Sequence, residues 1–316
     1  MGSGYLGMIA ALAFTLAAAA RTEAAPRRPV LLSTDCGADM DDQWALAHLA
    51  LHPDLRLVGV ITSHSPILLK PSSETTARIA RHLLDELRLH ELPPVVAGAS
   101  EPLASAVAPR PSAASAFLLT ESRAYSPANR LTVALIGHAT DVASALLEDP
   151  TLADRITIVA MGFKDYVKGG DEWNIIHDRL AWRVLLESRV PIAVGDQGVC
   201  VRDLCHTAGS ARALLEDRGP LARLLKYLLV DFIDRHQDGA LAMTGKPDTW
   251  PIWDCVTVAH ILGMTRFEVR PRPILRDDLG FDHAPAGGPV ITWITSVDSP
   301  RYWSDFGRRM GPARPR

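Results

Sequence analysis

The sequence predicts an α/β fold in which a mostly parallel central sheet is flanked by helices. Short apolar runs alternate with segments of helical periodicity from residue 30 to residue 194. Buried parallel strands are apolar on both faces, and the connections between them require crossovers that are usually helices. The chain has 316 residues, of which 47% are hydrophobic and 22% charged. This composition supports a large core and excludes disordered and fibrous proteins, and the length permits a single domain.

The elements follow one another in a regular order. The apolar runs that we assign to parallel strands cover residues 30–33, 55–62, 94–97, 131–136, 156–161 and 191–194. The segments with helical spacing between them cover residues 42–51, 72–89, 141–147 and 179–187. After residue 211 the pattern becomes mostly helical through residue 262. Two strand-like segments follow this helical part, at residues 267–275 and 290–295. We expect them to add a small antiparallel edge to the sheet.

The first residues are typical of a secretory signal. Residues 6–20 are apolar apart from Thr15, and this run is shorter than the about 18–20 residues that a membrane-spanning helix needs. Ala18 and Ala20 form an Ala-x-Ala cleavage site before Arg21. We therefore expect a signal peptide over residues 1–25, one domain over residues 26–316, and a mature protein that is periplasmic or extracellular without stable membrane insertion. A retained N-terminal anchor is the alternative.

The charge balance argues against nucleic acid as a partner. The 33 Lys and Arg residues against 36 Asp and Glu residues leave a formal net charge of −3, which gives no basic surface for phosphate groups. Four cysteines are too few for a disulfide scaffold, and their spacing fits no zinc module. Cys200 and Cys205 either form a disulfide or remain free thiols. A homo-oligomer is compatible with the sequence.

An acidic loop follows the first predicted strand. Within eight residues it contains four carboxylates, those of Asp35, Asp39, Asp41 and Asp42. Ligands of open α/β sheets bind at the carboxyl ends of the strands. Crowded carboxylates repel one another unless a cation neutralises them, and hard oxygen ligands suit calcium or magnesium better than zinc. The loop therefore predicts a metal site. The alternative is capping of the next helix, which needs only one or two carboxylates.

Six segments, in order, resemble the inosine-uridine nucleoside hydrolase family. The acidic loop TDCGADMDDQWAL resembles the family's aspartate-rich signature DTDxGxDD, with two residues inserted before the paired aspartates. The other five segments are VVAGASEPL (95–103), GHATDVASALLEDP (137–150), IVAMGF (158–163), DEWNIIHD (171–178) and IWDCVTVA (252–259). The resemblance covers about residues 29–262 and implies the Rossmann-like fold of that family.

The resemblance also implies a set of site residues. It implies a calcium ion bound by the side chains of Asp35, Asp42 and Asp254. The fourth implied ligand is the backbone carbonyl of Thr140. Asp35 is then also the general base. Three further residues are implied to bind the ribose hydroxyls, namely Asp41, Glu172 and Asn174. Without the resemblance, Asp254 would be interpreted as the N-cap of the apolar helix that follows it, and Glu172 and Asn174 as turn or capping residues.

Four positions depart from the family pattern. Ser33 stands where the first aspartate usually lies, so support of the metal loop is either weakened or rebuilt through Asp39. Two asparagines that contact ribose in the family are missing, with Pro66 near one position and Tyr166 at the other. Trp253 replaces a histidine that protonates the departing base in some members.

Trp253 is the position from which we predict base preference. An indole has a large face for stacking but no proton that titrates near neutral pH. We predict that Trp253 is a catalytic residue that stacks on the departing base, and that purine nucleosides are preferred. The alternative is that Trp253 only packs at the start of its helix, while another group, such as His138 or His177, supplies the proton.

The sequence thus predicts calcium-dependent hydrolysis of the N-glycosidic bond of ribonucleosides or close analogues, which releases base and ribose. The attacking water is activated by the metal and by Asp35, and the only partner expected is a small-molecule nucleoside. One alternative is an exported protein that keeps the fold and binds a nucleoside or sugar without turnover. A second is a phosphohydrolase with an aspartate nucleophile, which the positions of Thr140 and Asp254 fit poorly.

Overall fold

The structure, a computed structural model, describes residues 26–283 and 287–311. The predicted signal peptide lies outside the described residues. Within these ranges the strands are β1 (Arg28–Thr34), β2 (Leu55–Thr62), β3 (Val95–Ala97), β4 (Leu131–Leu135), β5 (Ile156–Met161), β6 (Ile192–Gly195), β7 (Cys205–Thr207), β8 (Thr249–Pro251), β9 (Thr265–Pro271), β10 (Pro273–Leu275), β11 (Phe281–His283) and β12 (Val290–Val297).

The helices lie on both faces of the sheet. They are α1 (Asp41–Leu51), α2 (Ser72–Glu86), α3 (Ala113–Ser122), α4 (Thr140–Glu148), α5 (Trp173–Ile176), α6 (Arg179–Glu187), α7 (Gln197–Asp203), α8 (Ala208–Leu215), α9 (Pro220–Arg235), α10 (Gln237–Thr244), α11 (Cys255–Ile261) and α12 (Ser299–Arg309). Over the ranges that the structure describes, no helix is both long enough and apolar enough to cross a membrane.

The central sheet has the strand order β3-β2-β1-β4-β5-β6-β12-β9. Its neighbouring strands are parallel except for β12 and β9. The chain winds outward from β1 through β2 to β3 and then resumes at β4, on the other side of β1. The direction of winding therefore reverses between β1 and β4. In open α/β sheets, the crevice outside the strand ends at such a reversal is where ligands bind.

The predicted α/β architecture is confirmed. Between residues 28 and 195, the bounds of β2, β5 and α6 are the same as predicted. The bounds of the other predicted elements differ from the observed bounds by one to three residues. The apolar runs have a simple cause, since β1, β2 and β5 are buried over most of their length and helices cover both faces of the sheet.

The C-terminal strands differ from the prediction in two respects. β12 lies inside the sheet and is parallel to β6, so that only β9 forms an antiparallel edge. The strand predicted over residues 267–275 is divided at Arg272 into β9 and β10. Pro271 and Pro273 flank this residue, and neither can donate a backbone N–H to a continuous ladder. β10 pairs instead with β11.

The four cysteines are free thiols. The Cys200 Sγ donates to the carbonyl oxygen of Trp253 at 3.4 Å, and the Cys205 Sγ donates to that of Val201 at 3.1 Å. Of the two states that the sequence left open for Cys200 and Cys205, the structure contains the free thiols.

A buried hydrogen-bonded cluster joins α1 to α12. The Nε2 atoms of His48 and His52 lie 3.0 and 3.4 Å from Oδ2 of Asp305, a spacing that would by itself suit a metal ion. The backbone N–H of Asp54, however, donates to Nδ1 of His52. The His52 proton is therefore on Nε2, which faces the carboxylate at 3.4 Å, and this proton blocks metal coordination. Arg308 also pairs with Asp305, so the cluster has a structural role.

Asp141, in the first turn of α4, is a buried carboxylate with incomplete hydrogen bonding. Its Oδ1 accepts the backbone N–H of Ala99 at 3.0 Å and the hydroxyl of Ser112 at 2.5 Å. Its Oδ2 has no hydrogen-bond partner in the described part of the chain. Burial raises the pKa of Asp141 from 3.8 to about 6, so the ionised form destabilises the folded chain.

We expect Asp141→Asn to stabilise the protein at neutral pH. Because the pKa of Asp141 is higher in the folded than in the unfolded chain, the wild type loses stability as the pH rises from about 4 to about 6, by at most about 3 kcal/mol. Asparagine keeps the acceptor oxygen and cannot ionise. Urea denaturation should show a gain of about 1–3 kcal/mol at pH 7.5 that disappears below pH 4. A gain that persists at pH 3.5 would contradict this explanation.

Candidate functional site

A cavity of about 600 Å³ opens at the carboxyl ends of β1 and β4, where the winding of the sheet reverses. Acidic residues from three separate parts of the chain line it. They come from the loop between β1 and α1 together with the first turn of α1, from the residue before α5 and from the residue before α11. They are Asp35, Asp39, Asp41, Asp42, Glu172 and Asp254.

The ends of β1 and β4 approach each other closely enough to require a glycine. A Cβ atom on Gly137 would lie 2.5 Å from the backbone nitrogen of Asp35 and 2.6 Å from the carbonyl carbon of Thr34. The backbone N–H of Gly137 donates to the carbonyl oxygen of Ser33 at 3.1 Å. This approach places Asp35 and Ile136, the residue before Gly137, at the same edge of the sheet.

Three carboxylates form a compact group. Oxygen atoms of Asp41, Asp42 and Asp254 lie within 4.8 Å of one another, and all three side chains are buried. The hydroxyl of Thr34 donates to Asp42, and the backbone N–H of Asp254 donates to Oδ2 of Asp41 at 3.3 Å. The structure therefore places Asp41, which we expected on the ribose, beside two of the predicted metal ligands.

Two indole N–H groups hold the other aspartates of the loop. Nε1 of Trp173 donates to Oδ2 of Asp35 at 3.1 Å. Nε1 of Trp250 donates to Oδ2 of Asp39 at 3.2 Å. Each indole fixes one carboxylate oxygen, and both carboxylates line the cavity.

Glu172 and Asn174 lie where the sequence predicts them, in the cavity lining. Glu172 caps α5, and its carboxylate accepts the backbone N–H of Asn174 at 3.0 Å. Nδ2 of Asn174 donates to the carbonyl oxygen of Ile136 at 3.0 Å. Oδ1 of Asn174 is buried and has no partner among the described residues. A buried acceptor without a donor costs free energy, so this oxygen is available to a hydroxyl group of a ligand.

Thr140 does not lie with the carboxylates, and its predicted role as a ligand is corrected. Thr140 is the first residue of α4, and its carbonyl oxygen accepts the Ser144 hydroxyl at 2.7 Å within that helix. Its own hydroxyl donates to Asp178. A carbonyl at the start of a helix points along the axis to the next turn, so this one is not free for a metal. Ile136 lines the cavity, and its carbonyl lies outside the helix and accepts Nδ2 of Asn174, which leaves a second lone pair for a metal.

Burial raises the pKa values of the carboxyl groups in the cavity. The pKa of Asp35 rises to about 7, that of Asp41 to about 6 and that of Glu172 to about 8. The pKa values of Asp42 and Asp254 are also raised, first by burial and then by the negative charge of the neighbouring aspartates. Buried carboxylates in this arrangement repel one another, and a divalent cation would remove the repulsion. The donor set contains only oxygen, which fits a hard cation such as calcium.

The other departures from the family pattern bring no polar contact to the cavity among the described residues. The buried Ser33 hydroxyl has no hydrogen-bond partner there, whereas Asp39 accepts the backbone N–H of Met40 within the loop at 2.5 Å and the indole N–H of Trp250 at 3.2 Å. The Tyr166 hydroxyl donates to the carbonyl oxygen of Pro271 at 2.7 Å. Pro66 precedes apolar residues of the cavity lining, Ile67 and Leu68.

An aromatic wall, which consists of Trp253, Trp250, Phe232 and His236, lines the cavity beside the carboxylates. The ring centroids of Trp253 and Trp250 are 6.3 Å apart, those of Trp250 and Phe232 are 4.9 Å apart, and those of Phe232 and His236 are 4.0 Å apart. Stacked and edge-on rings of this kind bind flat aromatic groups well.

Sequence reasoning identified only Trp253 of this wall. The signals for the others were weak but present. Trp250 lies three residues before Trp253, and Trp173 lies between the two predicted ribose ligands. Phe232 and His236 are spaced i, i+4 at the end of α9, so their side chains lie on the same face of the helix.

Comparisons with known proteins point to the same family as the sequence resemblance. The family model described as inosine-uridine preferring nucleoside hydrolase matches residues 30–304. No curated protein matches the chain. Among solved structures, a plant nucleoside hydrolase is 18% identical, with a TM-score of 0.72, and the match covers 91% of this chain and 100% of that chain. A purine-preferring ribonucleoside hydrolase from Gardnerella vaginalis is 18% identical, with a TM-score of 0.72 and coverage of 90% and 98%. An inosine-guanosine nucleoside hydrolase is 17% identical, with a TM-score of 0.72 and coverage of 91% and 100%.

The structural likeness, at these identities, shows a shared fold. The family match is independent of it and spans most of the chain, and it extends beyond the last of the six segments that carried the resemblance. The resemblance is thereby confirmed. The chain belongs to the inosine-uridine preferring nucleoside hydrolase family and is a hydrolase that acts on N-glycosyl compounds.

Proposed function

We propose that this protein hydrolyses the N-glycosidic bond of ribonucleosides, or of close analogues, with calcium as its cofactor, and releases base and ribose. The observation that carries the proposal is the composition of one cavity, in which a buried group of carboxylates lies beside an aromatic wall. The two parts match the two halves of a nucleoside. The ribose is polar and becomes positively charged as the bond breaks, whereas the base is flat and aromatic.

Asp42 and Asp254, together with Asp35, are the side chains that would hold the calcium ion. All three line the cavity, and the charge of Asp35 contributes to the raised pKa values of both others, so the three lie within electrostatic reach. The carbonyl of Ile136 takes the place that the resemblance gave to Thr140. Calcium, when bound, supplies a positive charge that acidifies and orients the attacking water.

Asp35 is the proposed general base. The indole of Trp173 holds Oδ2 of its carboxylate, which leaves Oδ1 to accept a proton from the water. The side chain is only 4% exposed, so few solvent molecules compete for this oxygen. A carboxylate that is fixed in this way can act as a base once the water lies within hydrogen-bonding distance.

The ribose would be held by Asn174, Glu172 and Asp41. Oδ1 of Asn174 lacks a donor among the described residues, and a ribose hydroxyl would provide one. The carboxylates of Glu172 and Asp41 accept hydroxyl hydrogen bonds when ionised. Their negative charges also stabilise the positive charge that develops on the sugar in the transition state.

The base would stack on Trp253. This indole lines the cavity. Trp253 directly precedes the proposed metal ligand Asp254, and α11 begins at the next residue, Cys255. A base on the indole face would therefore lie next to the ribose site. Purines have the larger ring system and gain more from stacking, so we propose a preference for purine nucleosides.

Asp42→Asn tests the calcium site. Asparagine keeps an oxygen that can accept the Thr34 hydroxyl but removes a negative charge. The variant should lose stoichiometric calcium and most of its activity while remaining folded. Calcium at 100 times its dissociation constant should raise the stability of the wild type by about 2.7 kcal/mol and leave that of the variant unchanged. The metal-free variant should melt no lower than the metal-free wild type, because burial disfavours the charge that is removed.

The measurements are elemental analysis of the purified protein, thermal melting with and without calcium, and release of reducing sugar from inosine and uridine. Asp85→Asn, on the exposed surface of α2, is the matched control and should keep calcium and activity. Full calcium occupancy in the Asp42→Asn protein would refute the assignment. A wild type that melts higher with nucleosides but releases no sugar would be a binding protein.

Trp253→Ala tests the stacking of the base. Stacking of a base on an aromatic ring is worth about 1–3 kcal/mol, so kcat/KM for inosine should fall about 5–150-fold, and more than kcat/KM for uridine. Trp303→Ala, which removes a tryptophan of α12 that packs against Trp44 and Phe306, is the control for lost packing. Equal losses on inosine and uridine, or a lower melting temperature alone, would favour the packing role of Trp253.

We also propose that residues 1–25 contain an export signal that is removed by cleavage. The mature N-terminus should then lie near Arg21 or Ala25, which mass spectrometry of protein from the separated cell fractions would show. A chain that begins at residue 26 is the matched control and should stay in the cytoplasm. An intact Met1 on soluble cytoplasmic protein would refute the signal peptide.

A further inference from the structure

The proposed reaction needs a proton donor for the base. When the N-glycosidic bond breaks, its electron pair moves onto the base, and protonation of a ring nitrogen makes the base a better leaving group. Trp253, which replaces the family's histidine, has no proton that titrates near neutral pH. The carboxyl group bonded to the aromatic wall, that of Asp39, accepts the indole N–H of Trp250 on Oδ2 and the backbone N–H of Met40 on Oδ1, so both of its oxygens are already hydrogen-bond acceptors.

The two histidines that sequence reasoning suggested do not line the cavity in the described part of the chain. His138 is fully buried, and its Nδ1 donates to the carbonyl oxygen of His64 at 2.6 Å. Nδ1 of His177 lies 2.9 Å from the carbonyl oxygen of Trp173, and His177 faces a separate surface depression beside Asp178. Neither ring belongs to the aromatic wall on which the base would stack.

His236 does line the cavity, as the last ring of the aromatic wall. Its Nδ1 lies 2.8 Å from the carbonyl oxygen of Phe232. A carbonyl can only accept, so Nδ1 carries a hydrogen and Nε2 is the atom that gains or loses a proton. The ring stacks on Phe232 with an interplanar angle of 22° and lies 6.2 Å from the ring of Trp250. His236 is therefore held in one tautomer and one orientation.

The position of His236 also allows it to be reprotonated. Its side chain is exposed at the rim of the cavity, whereas the carboxylates are buried. Imidazole is the side chain that exchanges a proton most readily between pH 5 and 8. A proton lost to a product can thus be replaced from solvent.

We propose that His236 is the general acid of the reaction and protonates the departing base through Nε2. This inference rests on the proposed function. The bond between the anomeric carbon and the base nitrogen breaks, and its electron pair stays with the base. The Nε2 proton passes to a ring nitrogen of the base, a water molecule adds to the anomeric carbon, and Asp35 takes the proton that this water loses. Solvent then restores the proton on His236 and removes the one on Asp35, so that one water is consumed for each nucleoside.

A comparison of leaving groups tests this assignment in the calcium-loaded protein. The 4-nitrophenolate of 4-nitrophenyl riboside departs without protonation, whereas hypoxanthine departing from inosine needs a proton. His236→Phe keeps an aromatic ring and removes the proton, and His236→Gln removes both. For both variants, kcat on inosine should fall about 10²–10⁴-fold, while kcat on 4-nitrophenyl riboside stays within about twofold of the wild-type value. His82→Gln, on the exposed surface of α2, is the matched control and should behave as the wild type on both substrates.

The outcomes separate the two proposals. Equal losses on both substrates, or an unchanged kcat on inosine with a higher KM, would overturn the role of His236 as an acid and leave the proposed function intact. A wild type that cleaves 4-nitrophenyl riboside but no nucleoside would also overturn it, because the site would then lack an acid. A wild type that releases sugar from neither substrate would overturn the proposed function and the role of His236 with it.

Discussion

The repulsion among buried carboxylates at the start of α1 and α11 is the constraint on which the rest of the site depends. Asp41, Asp42 and Asp254 lie within 4.8 Å of one another, and ionising them in a buried environment is unfavourable without a cation. They stay together because α1 packs directly against α11. The fold thus holds together carboxylates that would otherwise move apart. A cation that binds here therefore relieves more electrostatic repulsion than it would in a flexible loop, where the carboxylates can separate.

The same constraint explains why so much of the site could be predicted. Asp35, Asp39, Asp41 and Asp42 are crowded in the sequence itself, and they follow an apolar run that reads as a buried strand. Because the carboxyl ends of parallel strands share one edge, the position of this loop follows from the fold class. Asp254 was harder, since its own surroundings indicate only a helix start. It required the family resemblance to connect it with residues more than 200 positions earlier.

The error at Thr140 has a local cause. The segment GHATD was assigned correctly to the edge of the sheet, but the direction of each carbonyl depends on the residue at which the helix begins. Because α4 begins at Thr140, that carbonyl belongs to the helix, and Ile136 remains outside it, at the end of β4. The predicted helix began at residue 141, so an error of one residue at its start, well within the uncertainty of helix bounds inferred from sequence, left Thr140 outside the helix.

The tryptophans were missed for a different reason. Trp173 donates to Asp35 across 138 positions, and Trp250 donates to Asp39 across 211 positions. Hydrogen bonds over such separations leave no periodic signal, because they depend on how distant loops meet above the sheet. The pair of Phe232 and His236 is local and could have been found from its i, i+4 spacing.

The cavity is electrostatically asymmetric, and the proposed reaction has the same asymmetry. Breaking an N-glycosidic bond leaves positive charge on the sugar and an electron pair on the base. Carboxylates stabilise the first, but they would also hold the proton of a nearby imidazolium more tightly and so weaken it as an acid. The ring of Trp250 lies 6.3 Å from that of Trp253 and 6.2 Å from that of His236, and His236 is exposed whereas Asp41, Asp42 and Asp254 are buried. An acid at this exposed end of the aromatic wall can protonate the base without lying among the charges that the ribose requires.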